Sequence, residues 1–304
     1  MRPTPQRPCP TVEGPTTLLT LPDGRTLAAD DVGAPGGRPV VYVHGTPDSR
    51  RARHPDDDLA RRLGVRLVAV DRPGFGHSSP DPDGTAASFG VDVGRLADHI
   101  GLDQFAVLAW SAGAVPALGI GARCASRVST VGIAAGLVPG PAYEEPAVLA
   151  AAHFGQRLLA EMATEMGVEE TAAELAPFLV PDPPTLELAR EQLRAGDDSV
   201  RLAELESVPG ALDAMAAGMV DAVRGGLGGL RRDLELQMLP PDVELGSLLV
   251  PVRLWYGELD LTAPPAYGRW YVDHLRDATL DVLAGAGHCF PLPRWADLLT
   301  ALSS

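Results

Sequence analysis

The 304-residue chain contains no lysine, and its 25 basic residues are all arginine. Without a lysine amine there is no Schiff-base chemistry and no phosphate-binding loop of the Walker type. Cysteine is scarce, with three at wide spacing (Cys9, Cys124 and Cys289), so neither a disulfide framework nor a zinc site is expected. Cys124, on an apolar helical stretch, reads as a small core residue. No run of 18 apolar residues occurs, which excludes a hydrophobic membrane-spanning helix. Residues 1–15 include basic positions but lack the apolar stretch of a signal peptide, and read as a flexible leader on a cytoplasmic chain. Positive charge is also in deficit: 40 Asp and Glu leave a net charge of −15, which makes a phosphate-backbone partner unfavourable. What is present, 45% hydrophobic residues over this length, suffices for a large core.

The segment Leu18 to Ala29 reads as a hairpin, because Pro22-Asp23-Gly24-Arg25 supplies the chemistry of a tight turn. Short apolar runs then recur with helical segments between them: Val40–Val43, Leu67–Val70, Phe105–Leu108, Val128–Ala134, Val252–Trp255 and Thr279–Leu283. Such alternation predicts an α/β fold with a mostly parallel sheet covered by helices on both faces. It fails between Ala135 and Val250, where helical pattern is broken only by proline and glycine clusters. We read 138–247 as an all-helical cap inserted into a core of 16–137 and 248–304. Its charge is lopsided, with seven arginines against twenty carboxylates, a net −13 that leaves only −2 on the remainder. Gly225-Gly226-Leu227-Gly228-Gly229 reads as its hinge.

The chemical signal begins at Ala109-Trp110-Ser111-Ala112-Gly113, directly after a buried strand and opening a helix of small and apolar residues, Ala112 to Ala122. A serine between small residues at that junction can occupy a sharp strand-to-helix turn, where the helix N-terminus favours negative charge. A helix N-cap is the plainer alternative. A nucleophilic hydroxyl needs a base, and the base an orienting acid. Asp260 and His288 lie just past the carboxyl ends of predicted strands, where open α/β sheets place functional groups. His77 is the rival base and Glu258 the rival acid. After Ala134, Ala135-Gly136-Leu137 offers no carboxylate for a shifted acid.

The order Ser111, Asp260, His288, with His44-Gly45-Thr46-Pro47 and Asp71-Arg72-Pro73-Gly74-Phe75-Gly76-His77-Ser78 upstream, resembles the α/β-hydrolase superfamily from about residue 16 to the end. Ala109 departs from the glycine of the elbow pattern, a small cost if its φ is negative. The resemblance implies an oxyanion hole from the backbone N–H groups of Thr46 and Ala112, and an acyl-enzyme mechanism with no metal or organic cofactor. A serine nucleophile separates the chain from the aspartate-dependent dehalogenases and epoxide hydrolases.

His44 reads as a buried structural residue, Asp71 with Arg72 as a loop brace, and Arg50, Arg51 and Arg53 as a solvated loop. Trp110, Met215 and Met219 are candidate pocket residues, and the stripe Leu212, Met215, Met219, Val223 reads equally as cap core. The expected activity is hydrolysis of a carboxylic ester or lactone of a small neutral molecule. A thioesterase, C–C bond hydrolase, acyltransferase or biosynthetic cyclase on the same residues is the alternative, and a binding protein without turnover a third. The expected partner is a small-molecule substrate, with no nucleic acid and no membrane.

Overall fold

A computed structural model describes residues 16–303 apart from Asp197; the leader and Cys9 lie outside the described residues. Eight strands form one sheet: β1 (Thr16–Thr20), β2 (Thr26–Gly33), β3 (Arg38–Val43), β4 (Val65–Val70), β5 (Phe105–Trp110), β6 (Val128–Ala134), β7 (Val252–Gly257) and β8 (Ala278–Leu283). Their spatial order is β1-β2-β4-β3-β5-β6-β7-β8. Only the β1/β2 and β2/β4 pairs are antiparallel. Every residue of central β5 is buried, whereas edge strands β1 and β8 expose alternate side chains. A continuous apolar strand demands cover on both faces. Cover comes from α1 (Asp57–Arg62), α2 (Ala86–His99) and α3 (Ala114–Arg123), and later from two C-terminal helices.

Between β6 and β7 the chain forms α4 (Pro146–Ala151), α5 (Phe154–Met166), α6 (Val168–Leu175), α7 (Leu186–Arg194), α8 (Ser199–Ser207), α9 (Ala211–Ala222) and α10 (Gly228–Met238). No strand occurs there among the described residues. After β7 come α11 (Pro265–His274) and α12 (Trp295–Leu302). The helical segment has its own apolar cluster, including Ala172, Ala216, Met219, Leu230 and Leu234. Phe75, from the loop after β4, is buried within that cluster. Burial of such a ring stabilises by roughly 1.5 to 3 kcal/mol, so the sheet and the helical segment are joined by packing.

One expectation is corrected. Arg50 and Arg53 are not solvated: they are 2% and 4% exposed. Arg50 bonds Asp30, Asp71 and Asp221, and Arg53 bonds Asp30 and Asp57, so carboxylates from distant segments replace water around both guanidiniums. Arg51 alone of the three keeps substantial exposure. Within the glycine run the surroundings differ from residue to residue. A Cβ at Gly225, Gly226 or Gly228 would meet open space, but one at Gly229 would strike the Gly74 backbone, so that residue serves close packing at the start of α10.

Candidate active site

β5 ends at Trp110, and the chain turns through a 3-10 segment, Ser111–Gly113, into α3. Ser111 has φ 56°, a left-handed conformation that costs a non-glycine residue about 1 to 3 kcal/mol and persists only when surroundings enforce it. The enforcement is steric. A Cβ at Gly113 would lie 2.6 Å from the Val43 carbonyl oxygen, and one at Gly45 would lie 2.9 Å from Ser111 Cβ. The elbow is therefore pressed against the end of β3. Ala109 sits inside β5 and is not among the positive-φ residues, so its departure from glycine carries no backbone penalty.

Three side chains meet at the carboxyl ends of β5, β7 and β8. Ser111 Oγ is 3.1 Å from His288 Nε2, and His288 Nδ1 is 2.9 Å from Asp260 Oδ2. The other Asp260 oxygen accepts the N–H groups of Thr262 and Ala263, each at 2.8 Å. Those two bonds fix the carboxylate plane, and with it the ring edge that faces Asp260. A proton on Nδ1 leaves Nε2 free to accept from the serine hydroxyl. The Trp110 indole N–H donates to the His288 carbonyl at 3.1 Å. His77 and Glu258 are elsewhere: the His77 amide bonds Asp71, and the exposed Glu258 carboxylate accepts from Gly285 N–H.

The Thr46 side chain bonds Asp233 of α10 and accepts from Arg72, leaving its backbone as the part available to a substrate. Ala112 lies in the first turn of the 3-10 segment, where N–H groups have no intrahelical acceptor. Arg72 does not brace Asp71. Its guanidinium pairs with Asp233 and donates to the Gly45 carbonyl at 2.8 Å. His44 is fully buried, with Nδ1 2.8 Å from the Gly45 carbonyl and Nε2 accepting from Arg72 N–H at 3.1 Å. Burial, reinforced by Arg72 and Arg50, pushes its pKa well below the usual histidine range.

Ser111 and His288 open onto a cavity of about 410 Å³, also lined by Thr46, Trp110, Met215 and Met219. Met215 and Met219 are both buried and line the cavity, whereas Leu212 and Val223 of the same stripe are not part of its lining. A smaller cavity of about 160 Å³, lined by Ala112, Arg72, Asp233 and Arg232, adjoins the other side of the elbow. Cys289 is buried beside His288, and burial pushes its thiol well above the ordinary range, away from reactivity. One trio of potential metal ligands, Asp71, His77 and Asp221, gathers within 4.8 Å among the described residues. The Arg50 guanidinium already bonds both carboxylates there.

Two residues of the site had no signal in the sequence reading. Glu204 of α8 accepts the N–H groups of Gly287 at 2.6 Å and Cys289 at 2.9 Å, gripping the loop on both sides of His288. Its pKa is raised by burial and eased by those amides. Asp48 follows the His44-Gly45-Thr46-Pro47 motif by one residue and lines the same cavity as Ser111. Burial raises its pKa to about 8, against the opposing pull of Arg72.

A family model described as the alpha/beta hydrolase family matches residues 40–301. Among curated relatives, the proline iminopeptidase of Xanthomonas citri is 35% identical over 108 residues, 33% of this chain and 33% of that one. The non-heme chloroperoxidase CPO-A1 of Kitasatospora aureofaciens is 34% identical over 97 residues, 32% of this chain and 34% of that one. The chain thus matches about a third of the length of these relatives. Solved structures align far more completely. A hydrolase from Pseudomonas aeruginosa matches at TM-score 0.63 and 19% identity, covering 95% of this chain and 98% of that one. The esterase RhEst1 from Rhodococcus matches at 0.61 and 18%, covering 94% and 99%. At such identities these likenesses bear on the fold alone.

Proposed function

Since this chain belongs to the alpha/beta hydrolase family, we propose that it is a serine hydrolase cleaving a carboxylic ester or lactone of a small molecule through an acyl-enzyme. Ser111 attacks the carbonyl carbon while His288 takes its proton. Asp260 holds the imidazole and stabilises its charged form. The backbone N–H groups of Thr46 and Ala112 receive the developing oxyanion, each such donor contributing roughly 3 to 4 kcal/mol to the transition state. His288 returns the proton to the leaving alcohol, and water, activated by the same ring, releases the acid. Residues 138–247 act as the cap, with Met215 and Met219 on its side of the pocket and Trp110 on the other. The acidic cap disfavours anionic substrates, leaving uncharged or cationic ones.

The observation that carries this reading is the continuous hydrogen-bonded chain Ser111–His288–Asp260 opening on a cavity. Nothing in it requires a metal or an organic cofactor. A fluorophosphonate probe should label Ser111, and Ser111→Ala should abolish labelling and lower kcat on any hydrolysed ester by at least about 10,000-fold. Near-full turnover by that variant, or labelling at another residue, would overturn the assignment. Product analysis then separates hydrolysis from acyl transfer, C–C cleavage or cyclisation.

A further inference from the structure

Asp48 is an anomaly in the wall of this cavity. Its carboxyl is half-buried and lines the space that Ser111 and His288 share, and it makes no hydrogen bond or ion pair among the described residues. A charged residue in the wall of a mostly apolar pocket is one of the few groups that fix a ligand's orientation and specificity. Arg72, whose charge acts on it from a distance, pairs instead with Asp233 and donates to the Gly45 carbonyl. Arg201 lines the cavity as well, but its guanidinium donates to the Leu193 and Ala195 carbonyls. Gln156, which lines the same cavity, has a buried Oε1 acceptor without a partner. The cavity wall thus holds one carboxylate that no cation of the described residues bonds, and residues 138–247, which supply part of that wall, carry the −13 excess.

Resting on the hydrolase reading of Ser111, we propose that Asp48 is the specificity carboxyl of the site and that the substrate carries a positively charged ammonium group placed against it. Trp110, Tyr143 and Phe178, which line the same cavity, add aromatic surface favourable to a cation. The arriving cation favours the ionised carboxylate, whose proton is released to solvent on binding. This narrows the neutral substrate expected from sequence to a cationic one.

The test uses two p-nitrophenyl esters of one shape: that of trimethylammoniobutyrate, and its isostere in which carbon replaces the nitrogen. The wild-type protein should favour the cationic ester in kcat/KM by at least about tenfold, and Asp48→Asn should bring the ratio close to one. Asp48→Ser, as a second replacement, should do the same, and melting curves establish that both variants fold. The same pair is titrated calorimetrically into Ser111→Ala protein, with and without Asp48→Asn, where binding is read without turnover. Equal handling of the two esters, a ratio unmoved by either Asp48 variant, or no measurable binding of the cationic ester would overturn the proposal. Absence of Ser111-dependent turnover with an intact binding preference would instead refute only the hydrolase reading.

Discussion

His44 and Asp48, on one short loop, are both driven toward their uncharged forms by burial, with opposite consequences for acid and base. The histidine is pushed down and the carboxyl up, to about 8. Below the ordinary histidine pKa of about 6.5 the unfolded chain takes up a proton that buried His44 refuses, so its contribution to stability is lost as pH falls. Asp48 has the reverse sign. Between about pH 4 and pH 8 the native state holds a proton that the unfolded state has released, so stability declines as pH rises through that window. Arg72 opposes this shift, while Tyr42 and Cys289, which couple to Asp48, are themselves kept uncharged by burial. Asp48→Asn should therefore gain in melting temperature relative to wild type on going from about pH 5 to about pH 8. Parallel curves over that range would mean that the carboxyl is not desolvated in solution.

At the level of elements, α8 bears on the candidate active site through the loop that carries His288. Glu204 accepts both amides that flank His288, so a helix inserted between β6 and β7 helps to set where the imidazole sits. Hydrogen bonds to a charged group contribute about 1.5 to 3 kcal/mol each, more than an exposed ion pair. Glu204→Ala should lower kcat by about 10- to 100-fold with KM changing by less than about threefold, and Glu204→Gln, which keeps one acceptor, should recover part of the loss. This is a positioning role, and steady-state kinetics on the three proteins separate it from a structural one. A fall in melting temperature with kcat unchanged would reduce Glu204 to a packing residue. Other elements reach across in the same way: Asp221 of α9 pairs with Arg50, and Asp233 of α10 with Arg72.

Over the whole molecule the decisive asymmetry is charge. Nearly all of the −15 lies on residues 138–247, the segment that an approaching substrate meets first if it acts as the cap. A field of one sign over a cleft changes local substrate concentration, and salt screens it within about 8 Å at physiological ionic strength. For matched neutral and anionic esters, kcat/KM should favour the neutral one at low salt, the gap narrowing as salt is added. A ratio independent of salt would show that these carboxylates merely solvate outward helix faces.

What the sequence determined by itself is what depends on near neighbours along the chain. Strand periodicity marked the strands of the sheet, a turn motif marked the hairpin, and the small residues around Ser111 marked an elbow, because backbone sterics act within a few positions. The spacing of Ser111, Asp260 and His288 was legible for the same reason: each lies just past the end of a recognisable strand. The tertiary structure alone decided the partners of buried polar groups. Arg50 reads as solvated until Asp221, 171 residues away, is seen beside it. Glu204 and Cys289 are 85 residues apart, and no local pattern announces that their meeting would hold the His288 loop. Whether a charge is solvated, paired or left waiting in a cavity is set by contacts between remote segments, and only packing of the chain in three dimensions brings those segments together.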